Sequence, residues 1–447
     1  MKNLLLSLIA IVLVLITNGQ TLSENLSDTL TKRLAQLKQQ QNVKSISSAV
    51  YFPDGSIWES SKGQLGNTGP LTTDHLMEMG SNTKTFVAAI LLQMQEEGLL
   101  SLEDTIYQYI NKLPHVPSGI SIRQVLNHTS GIYDYTTHHR FATKINNNPT
   151  IVIPPDSLFN FMDEPLFPVG SSWSYCNTGY VIAGLIIEAV DGKPLLESLR
   201  DRLLTPLGLQ NTYLDVYESY NEPKAGSWLA NGVYLGIKFD SFLSAARAAG
   251  AILATTADLV EWAFMLYSGK VLDSTSLADM LTRVVVNGNT TNYGLGYFFT
   301  RFKGKTYHGH GGTTPQNSTM NYSEDLKYAI VLNVNEQNKS TQINTIQNLL
   351  IDVIEAEMPK FSYEPVGITN HQSISNKFLY PNPASDWVSV GENIYKQCLI
   401  YDLSGKQVLI VNYPQNKIDI SSLTEGIYFF SLTDFDGQVQ TQKLLIY

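Results

Sequence analysis

Apolar positions alternate on either side of a short polar break near the start of the chain. Ala49-Val50-Tyr51-Phe52, Pro53-Asp54-Gly55 and Ser56-Ile57-Trp58-Glu59 predict two strands joined by a tight turn. The period then lengthens. Phe86, Ile90 and Met94 recur at helical spacing and Gly98 ends the run, which predicts a buried, amphipathic helix opening near Ser81. Helical patterning dominates to about residue 270, including Gly179–Ala189 and Thr256–Tyr267, with polar loops such as Thr136–Thr150 between. Strand-like runs return at 293–299 and 327–334, and Ile343, Ile346, Leu350, Val353 and Ile354 mark a last helix. The simplest packing lets the first and last strands share one sheet, covers it with helices and leaves the middle of the chain as a second lobe.

Beyond Pro359 the periodicity stops, and 361–376 reads as a polar linker. From about Lys377, short alternating runs at Trp387–Val390, Leu399–Asp402, Gln407–Val411 and Gly426–Phe430 predict a small C-terminal β-sandwich. At the other end, Lys2, the apolar run Leu4–Ile16 and Thr17-Asn18-Gly19 have the form of a secretory signal peptide over 1–19, with cleavage before Gln20. That run falls short of the roughly 20 residues a transmembrane anchor needs, so no stable anchor is expected.

A length of 447 residues fits about two to three domains, here a main domain over 20–360 and a small one over 377–447. Hydrophobic residues at 43% against 16% charged supply core material and exclude a disordered chain. A formal charge of -10 without a basic tract argues against nucleic acid or an anionic membrane surface as partner. Cys176 and Cys398 are far apart, so the fold is expected to rest on its core rather than on a disulfide.

Three stretches carry candidate chemistry. In Ser81-Asn82-Thr83-Lys84 an amine follows a hydroxyl by three residues at a helix start, where both share a face and exposed N–H groups favour an attacking oxygen. By itself this spacing equally fits an ordinary helix N-terminus. Tyr175-Cys176-Asn177 sits at a loop-to-helix junction, where a tyrosine can move protons and an asparagine can hold a lysine or a substrate amide, or both can simply form a turn. His308-Gly309-His310-Gly311-Gly312-Thr313 precedes the last strands: its small residues admit close backbone approach and a free N–H after Gly312 suits an oxyanion. The rival reading of His308 and His310 as metal ligands lacks a nearby Asp, Glu or Cys, and no metal is expected.

Taken in order, these stretches resemble the serine β-lactamase and penicillin-binding protein family, in its class C, D-alanyl-D-alanine carboxypeptidase and esterase branch. The resemblance spans roughly residues 45–355 and extends to Glu97-Gly98-Leu99-Leu100, Asn127-His128-Thr129-Ser130-Gly131 and Ala248-Ala249-Gly250-Ala251. It implies an α/β (α+β) fold of β-lactamase/transpeptidase type, with an antiparallel sheet flanked by helices and a helical lobe. It further implies Ser81 as acylated nucleophile, Lys84 and Tyr175 as a coupled proton-transfer pair, and Asn177 as a ligand of substrate or Lys84. His310, Gly311 and Gly312 would form the third motif, and the N–H groups of Ser81 and Thr313 the oxyanion hole. No cofactor is implied. Cys176 replaces the usual serine and Gln316 a common glycine, which leaves the pocket wall open; histidine rather than lysine at 310 loses a permanent cation and favours ester or peptide over β-lactam hydrolysis. His128 reads as part of a structural turn.

The C-terminal stretch resembles a second family, the type A sorting domain of the type IX secretion system of Bacteroidetes, through Tyr380-Pro381-Asn382-Pro383, Tyr401-Asp402-Leu403-Ser404-Gly405, Gly426-Ile427-Tyr428 and Lys443-Leu444-Leu445. The chain therefore reads as a secreted or surface serine hydrolase acting on an ester, D-amino-acid peptide or β-lactam, with the secretion machinery as its other partner. The alternative is a penicillin-recognising or peptidoglycan-binding protein with little turnover.

Overall fold

The computed structural model describes residues 26–66, 68–235 and 240–358, and the segments 386–390, 395–402, 406–412, 417–424, 426–433 and 439–446. The predicted signal peptide, the 361–376 linker and residues 380–385 of the predicted sorting signature lie outside them. The chain divides into two compact units, Met1–Ser362 and Tyr363–Tyr447.

In the first unit a helix running through 26–40 precedes strands β1 (Ser45–Tyr51) and β2 (Ile57–Gly63). Their turn is the predicted one: Gly55 takes φ +86° and the Phe52 N–H donates to Ser56 O at 2.9 Å. Then come helices α1 (Thr83–Glu96), α2 (His139–Asn147), α3 (Asn177–Asp191), α4 (Asp240–Ala246) and α5 (Thr256–Tyr267), with shorter elements between. Strands β3 (Phe298–Phe302), β4 (Lys305–Thr313), β5 (Asn317–Ser323) and β6 (Ala329–Val334) and helix α6 (Ser340–Glu357) complete the unit. The six strands form one antiparallel sheet in the order β3-β4-β5-β6-β1-β2, so the two ends of the unit meet as expected, with Ile46 opposite Val334 and Tyr51 opposite Ala329.

Strand β6 lies inside this sheet and is buried on both faces, which is why it reads as a continuous apolar run. On one face Ile46, Val50, Ile330 and Leu332 meet Leu30 and Leu34 of the first helix and Ile346 and Leu350 of α6. On the other, Ala49, Val331 and Met320 meet α5 and the helical lobe.

Three expectations change. Helix α1 is not amphipathic: every residue from Thr83 to Leu92 is buried, because the helix runs through the core rather than along its surface. Its polar groups are satisfied internally, with Trp262 stacked on Phe86 at 3.9 Å and donating Nε1–H to Thr85 Oγ1 at 2.8 Å. The polar loop expected over 136–150 contains α2, whose Phe141 and Ile145 are buried four residues apart. The strand expected over 293–299 begins only at Phe298, since the Gly294 N–H donates back to Tyr297 O at 3.1 Å and Gly296 adopts φ +79°.

The second unit holds two small sheets. One pairs β7 (Trp387–Ser389) with β10 (Lys417–Asp419); the other runs β9-β8-β11-β12, from β8 (Gln397–Tyr401), β9 (Gln407–Asn412), β11 (Gly426–Thr433) and β12 (Val439–Ile446). Val388 and Ile418 of the first share a core with Ile400, Phe430 and Leu444 of the second. Strands β10 and β12 are additional to the four predicted.

Candidate active site

Ser81 lies in a single 3-10 turn, Gly80–Asn82, that runs straight into α1. The chain before it presses against the end of β4. A Cβ on Gly80, which has φ +52°, would stand 2.9 Å from Thr313 N, and one on Gly312 would stand 2.0 Å from Met79 O. Only glycines permit that approach. The Met79 carbonyl is pinned by Ser318 Oγ–H at 2.9 Å and Asn82 Nδ2–H at 2.8 Å. Ser81 and Thr313 thereby line the same cleft, together with Gly311 and His310.

One turn into α1, the Lys84 amine is enclosed and reaches Ser81 Oγ at 3.1 Å, Asn177 Oδ1 at 2.9 Å and Ala249 O at 2.7 Å. Burial disfavours its charged form and brings its pKa down to about 7, against the opposing pull of Asp134. Tyr175 is half-buried, its ring centroid 4.8 Å from Lys84 Nζ. Burial raises its hydroxyl above the ordinary tyrosine range, with the Ser81 hydroxyl pulling the other way.

Asn177 opens α3, and its orientation is set by Asp134, a residue that sequence reasoning missed. One Asp134 oxygen accepts from Asn177 N (3.1 Å) and Nδ2 (2.9 Å); the other accepts from Thr136 N (3.0 Å) and Oγ1 (2.8 Å). With its amide nitrogen committed to Asp134, Asn177 turns Oδ1 toward Lys84. The Asp-Tyr pair after the 127–131 turn was the available signal. Its meaning depends on two helix starts meeting, which local patterning cannot reveal. Asp134→Asn puts an amide NH2 against one of those donor pairs. It is expected to lower kcat about ten- to a hundredfold through misplacement of Asn177, and to move the acidic limb of the pH profile downward, because the lost negative charge had favoured protonated Lys84.

His310 makes two committed contacts. Its Nδ1 faces Gly311 O at 2.6 Å, and since a carbonyl only accepts, Nδ1 carries the proton and Nε2 accepts from the Tyr293 hydroxyl at 3.3 Å. Burial, with a smaller push from Lys84, holds its pKa down at about 3. His308 instead turns to Glu324 at 3.1 Å. Among the described residues no group of three or more His, Cys, Asp or Glu side chains is gathered as a metal site.

The two departures from the family pattern have structural explanations. Cys176 is buried beneath the start of α3, its thiol donating to Ile132 O at 3.3 Å and pushed up to about 12 by burial, so it is not a reactive thiolate. Gln316 is buried away from the cleft: Nε2 donates to Ala225 O at 2.9 Å and Oε1 accepts from Glu78 N at 3.1 Å. His128 supplies the expected turn at φ +65°, and its ring also backs Tyr175 at 4.4 Å. Its Nδ1 accepts from Cys176 N–H at 3.2 Å.

The cleft occupies about 1400 Å³. Phe141 and Ile145 of α2, Phe242 and Ala246 of α4 and Phe298 of β3 contribute its apolar walls.

Residues 30–352 match the family model described as Beta-lactamase. The chain belongs to the beta-lactamase family. This beta-lactamase-family chain is similar in structure to a D-amino acid amidase from Ochrobactrum anthropi SV3 complexed with L-phenylalanine amide, with TM-score 0.64 and 26% identity, covering 75% of this chain and 99% of the amidase. It is 29% identical over 291 residues to a penicillin-binding protein of Bacillus subtilis (strain 168), covering 60% of this chain and 62% of that protein. It is 27% identical over 253 residues to a D-aminopeptidase of Brucella anthropi, covering 54% and 46%. The match thus spans less than two thirds of the length of either of these two relatives. Residues 378–447 match the model described as Secretion system C-terminal sorting domain, the type IX address that sends a chain to the cell surface or beyond. Among the described residues no helix is long and apolar enough to cross a membrane.

Proposed function

We propose that this beta-lactamase-family chain is a secreted serine hydrolase that forms an acyl-enzyme at Ser81. The observation that carries the reading is the hydrogen bonding of Lys84. A neutral amine has two protons and one lone pair. Asn177 Oδ1 and Ala249 O can only accept, so they take both protons and leave the lone pair facing the Ser81 hydroxyl. A pKa near 7 makes that neutral form available at ordinary pH.

In the proposed cycle Lys84 takes the Ser81 proton as Oγ attacks the substrate carbonyl. The oxyanion is received by the N–H groups of Ser81 and Thr313. The proton passes through the Lys84–Tyr175 pair to the leaving alcohol or amine. Tyr175, with its raised pKa, serves as a neutral hydroxyl rather than a phenolate. Water then attacks the acyl ester, the pair takes its proton, and the acid leaves as Ser81 regains its hydrogen. Esters and amides, including the D-amino-acid derivatives named for the relatives, suit this apparatus.

The test is to trap the adduct. The intact protein is incubated with p-nitrophenyl butyrate, a D-alanyl-D-alanine peptide or nitrocefin, and the acylated residue is mapped by peptide mass spectrometry while product release is followed. Adduct on Ser81 with continued turnover is expected; adduct on any other residue sinks the proposal. Stoichiometric labelling without turnover would favour the slow-acylating, penicillin-recognising alternative.

The pH profile is a second expected outcome. Protonated Lys84 has no lone pair for Ser81, so kcat/KM is expected to rise with pH through an apparent value near 7. His310, held at about 3, should add no limb across about pH 5 to 9. A limb that vanishes in a His310 variant but persists in Lys84 variants would contradict this.

A further inference from the structure

We infer that the cleft takes an acyl donor uncharged on the acyl side of the scissile bond: an ester or amide whose acyl part bears neither a free carboxylate nor a free ammonium. This rests on the acyl-enzyme reading above. No Lys, Arg, Asp or Glu side chain lines the cleft among the described residues.

Lys84, Asp134 and His310, at or just behind the lining, are already committed. Even fully protonated, Lys84 would spend its three hydrogens on Ser81 Oγ, Asn177 Oδ1 and Ala249 O. Asp134 accepts four hydrogen bonds, from Thr136 N, Thr136 Oγ1, Asn177 N and Asn177 Nδ2, which fill the sites of both its oxygens. His310 donates from Nδ1 and accepts at Nε2, with no nitrogen left for a ligand. Among the described residues a substrate carboxylate would find no cation, and a substrate ammonium no anion, against walls made by Phe141, Ile145, Phe242 and Phe298. A charge desolvated there without a partner is strongly disfavoured.

The volume leaves room for an uncharged acyl group. At about 1400 Å³ the cleft exceeds the range of about 300–1,000 Å³ typical for small-molecule sites. A blocked amino group with an apolar side chain fits such a space without any charge to solvate.

The experiment uses three methyl esters of D-phenylalanine whose amino group is free, acetylated or succinylated, with the L forms alongside. At about pH 6, below the α-amino pKa of about 7.7–8.0, they differ in a positive charge, no charge and a negative charge. The neutral acetyl ester is expected to have kcat/KM at least about tenfold above either charged one. Either charged ester matching it, with Ser81→Ala inactive, overturns this inference alone. Turnover that survives in Ser81→Ala overturns the acyl-enzyme reading instead. Failure of the acetyl ester while p-nitrophenyl butyrate is hydrolysed through Ser81 also overturns the inference.

A second variant tests the cause. Ala142 lies on the exposed side of α2 and lines the cleft. Ala142→Arg is expected to raise the ratio of succinyl to acetyl ester kcat/KM by about fivefold at low salt. An unchanged ratio would mean that shape, not missing charge, sets the preference, and would overturn the argument.

Discussion

Ser81→Ala is expected to lower kcat/KM by roughly four to six orders of magnitude, and Lys84→Met by nearly as much. In the proposed cycle the two side chains act as one unit, the hydroxyl oxygen attacking only as the amine 3.1 Å away takes its proton. The double variant should therefore be no slower than the worse single one, and additive losses would refute a shared step. Fold must be separated from chemistry, and thermal unfolding does so. Lys84 has a folded pKa of about 7 against an ordinary 10.5, so between these values the unfolded chain binds a proton that the folded chain refuses. Its contribution to stability is therefore full above about 10.5 and lost as pH falls toward 7. Lys84→Met lacks this dependence. It should unfold no more readily than the parent at pH 7, and a large drop in Tm would attribute the lost activity to misfolding.

Gly312→Ala carries the second large effect, and it acts through backbone. The new Cβ would stand 2.0 Å from Met79 O and 2.4 Å from Ser318 Oγ, so β4 or the chain before Ser81 must move. The Met79 carbonyl cannot swing aside alone, because Ser318 and Asn82 both bond it. Moving either segment separates the N–H groups proposed as the oxyanion hole. The expected result is a loss of about a hundredfold or more in kcat and of about 1–3 kcal/mol in stability. Gly311→Ala supplies the stability control: its Cβ would meet only Ser318 O, at an ordinary 3.6 Å. Equal destabilisation by both substitutions, read from denaturant unfolding, would show that close approach is not the reason for glycine at 312.

What could be read from the sequence divides along the range of the interactions. Ser81 and Lys84 are one helical turn apart, so their meeting follows from local geometry, and the hairpin, α5 and α6 were announced by period and turn residues. The sharing of one sheet by the unit's two ends followed from returning strand signals. Asp134 stayed hidden because it joins two helix starts, its partner Asn177 lying 43 residues away. The Ala249 carbonyl was illegible for a different reason, since any residue can present a carbonyl and no side-chain type marks it. Helix α2 was masked by the polar composition of 136–150, although Phe141 and Ile145 carry helical spacing. Gln316 seemed to alter the pocket wall, but its side chain instead ties Glu78 N to Ala225 O.

The three partners of Lys84 lie 3, 93 and 165 residues from it along the chain. A nascent or unfolded polypeptide therefore contains the serine and the lysine side by side but not the enclosure that lowers the amine's proton affinity. In water that amine keeps its proton, and the serine is an ordinary alcohol. In the proposed mechanism reactivity is therefore latent until the last of these segments has docked, and the serine becomes an activated nucleophile only when the fold is complete.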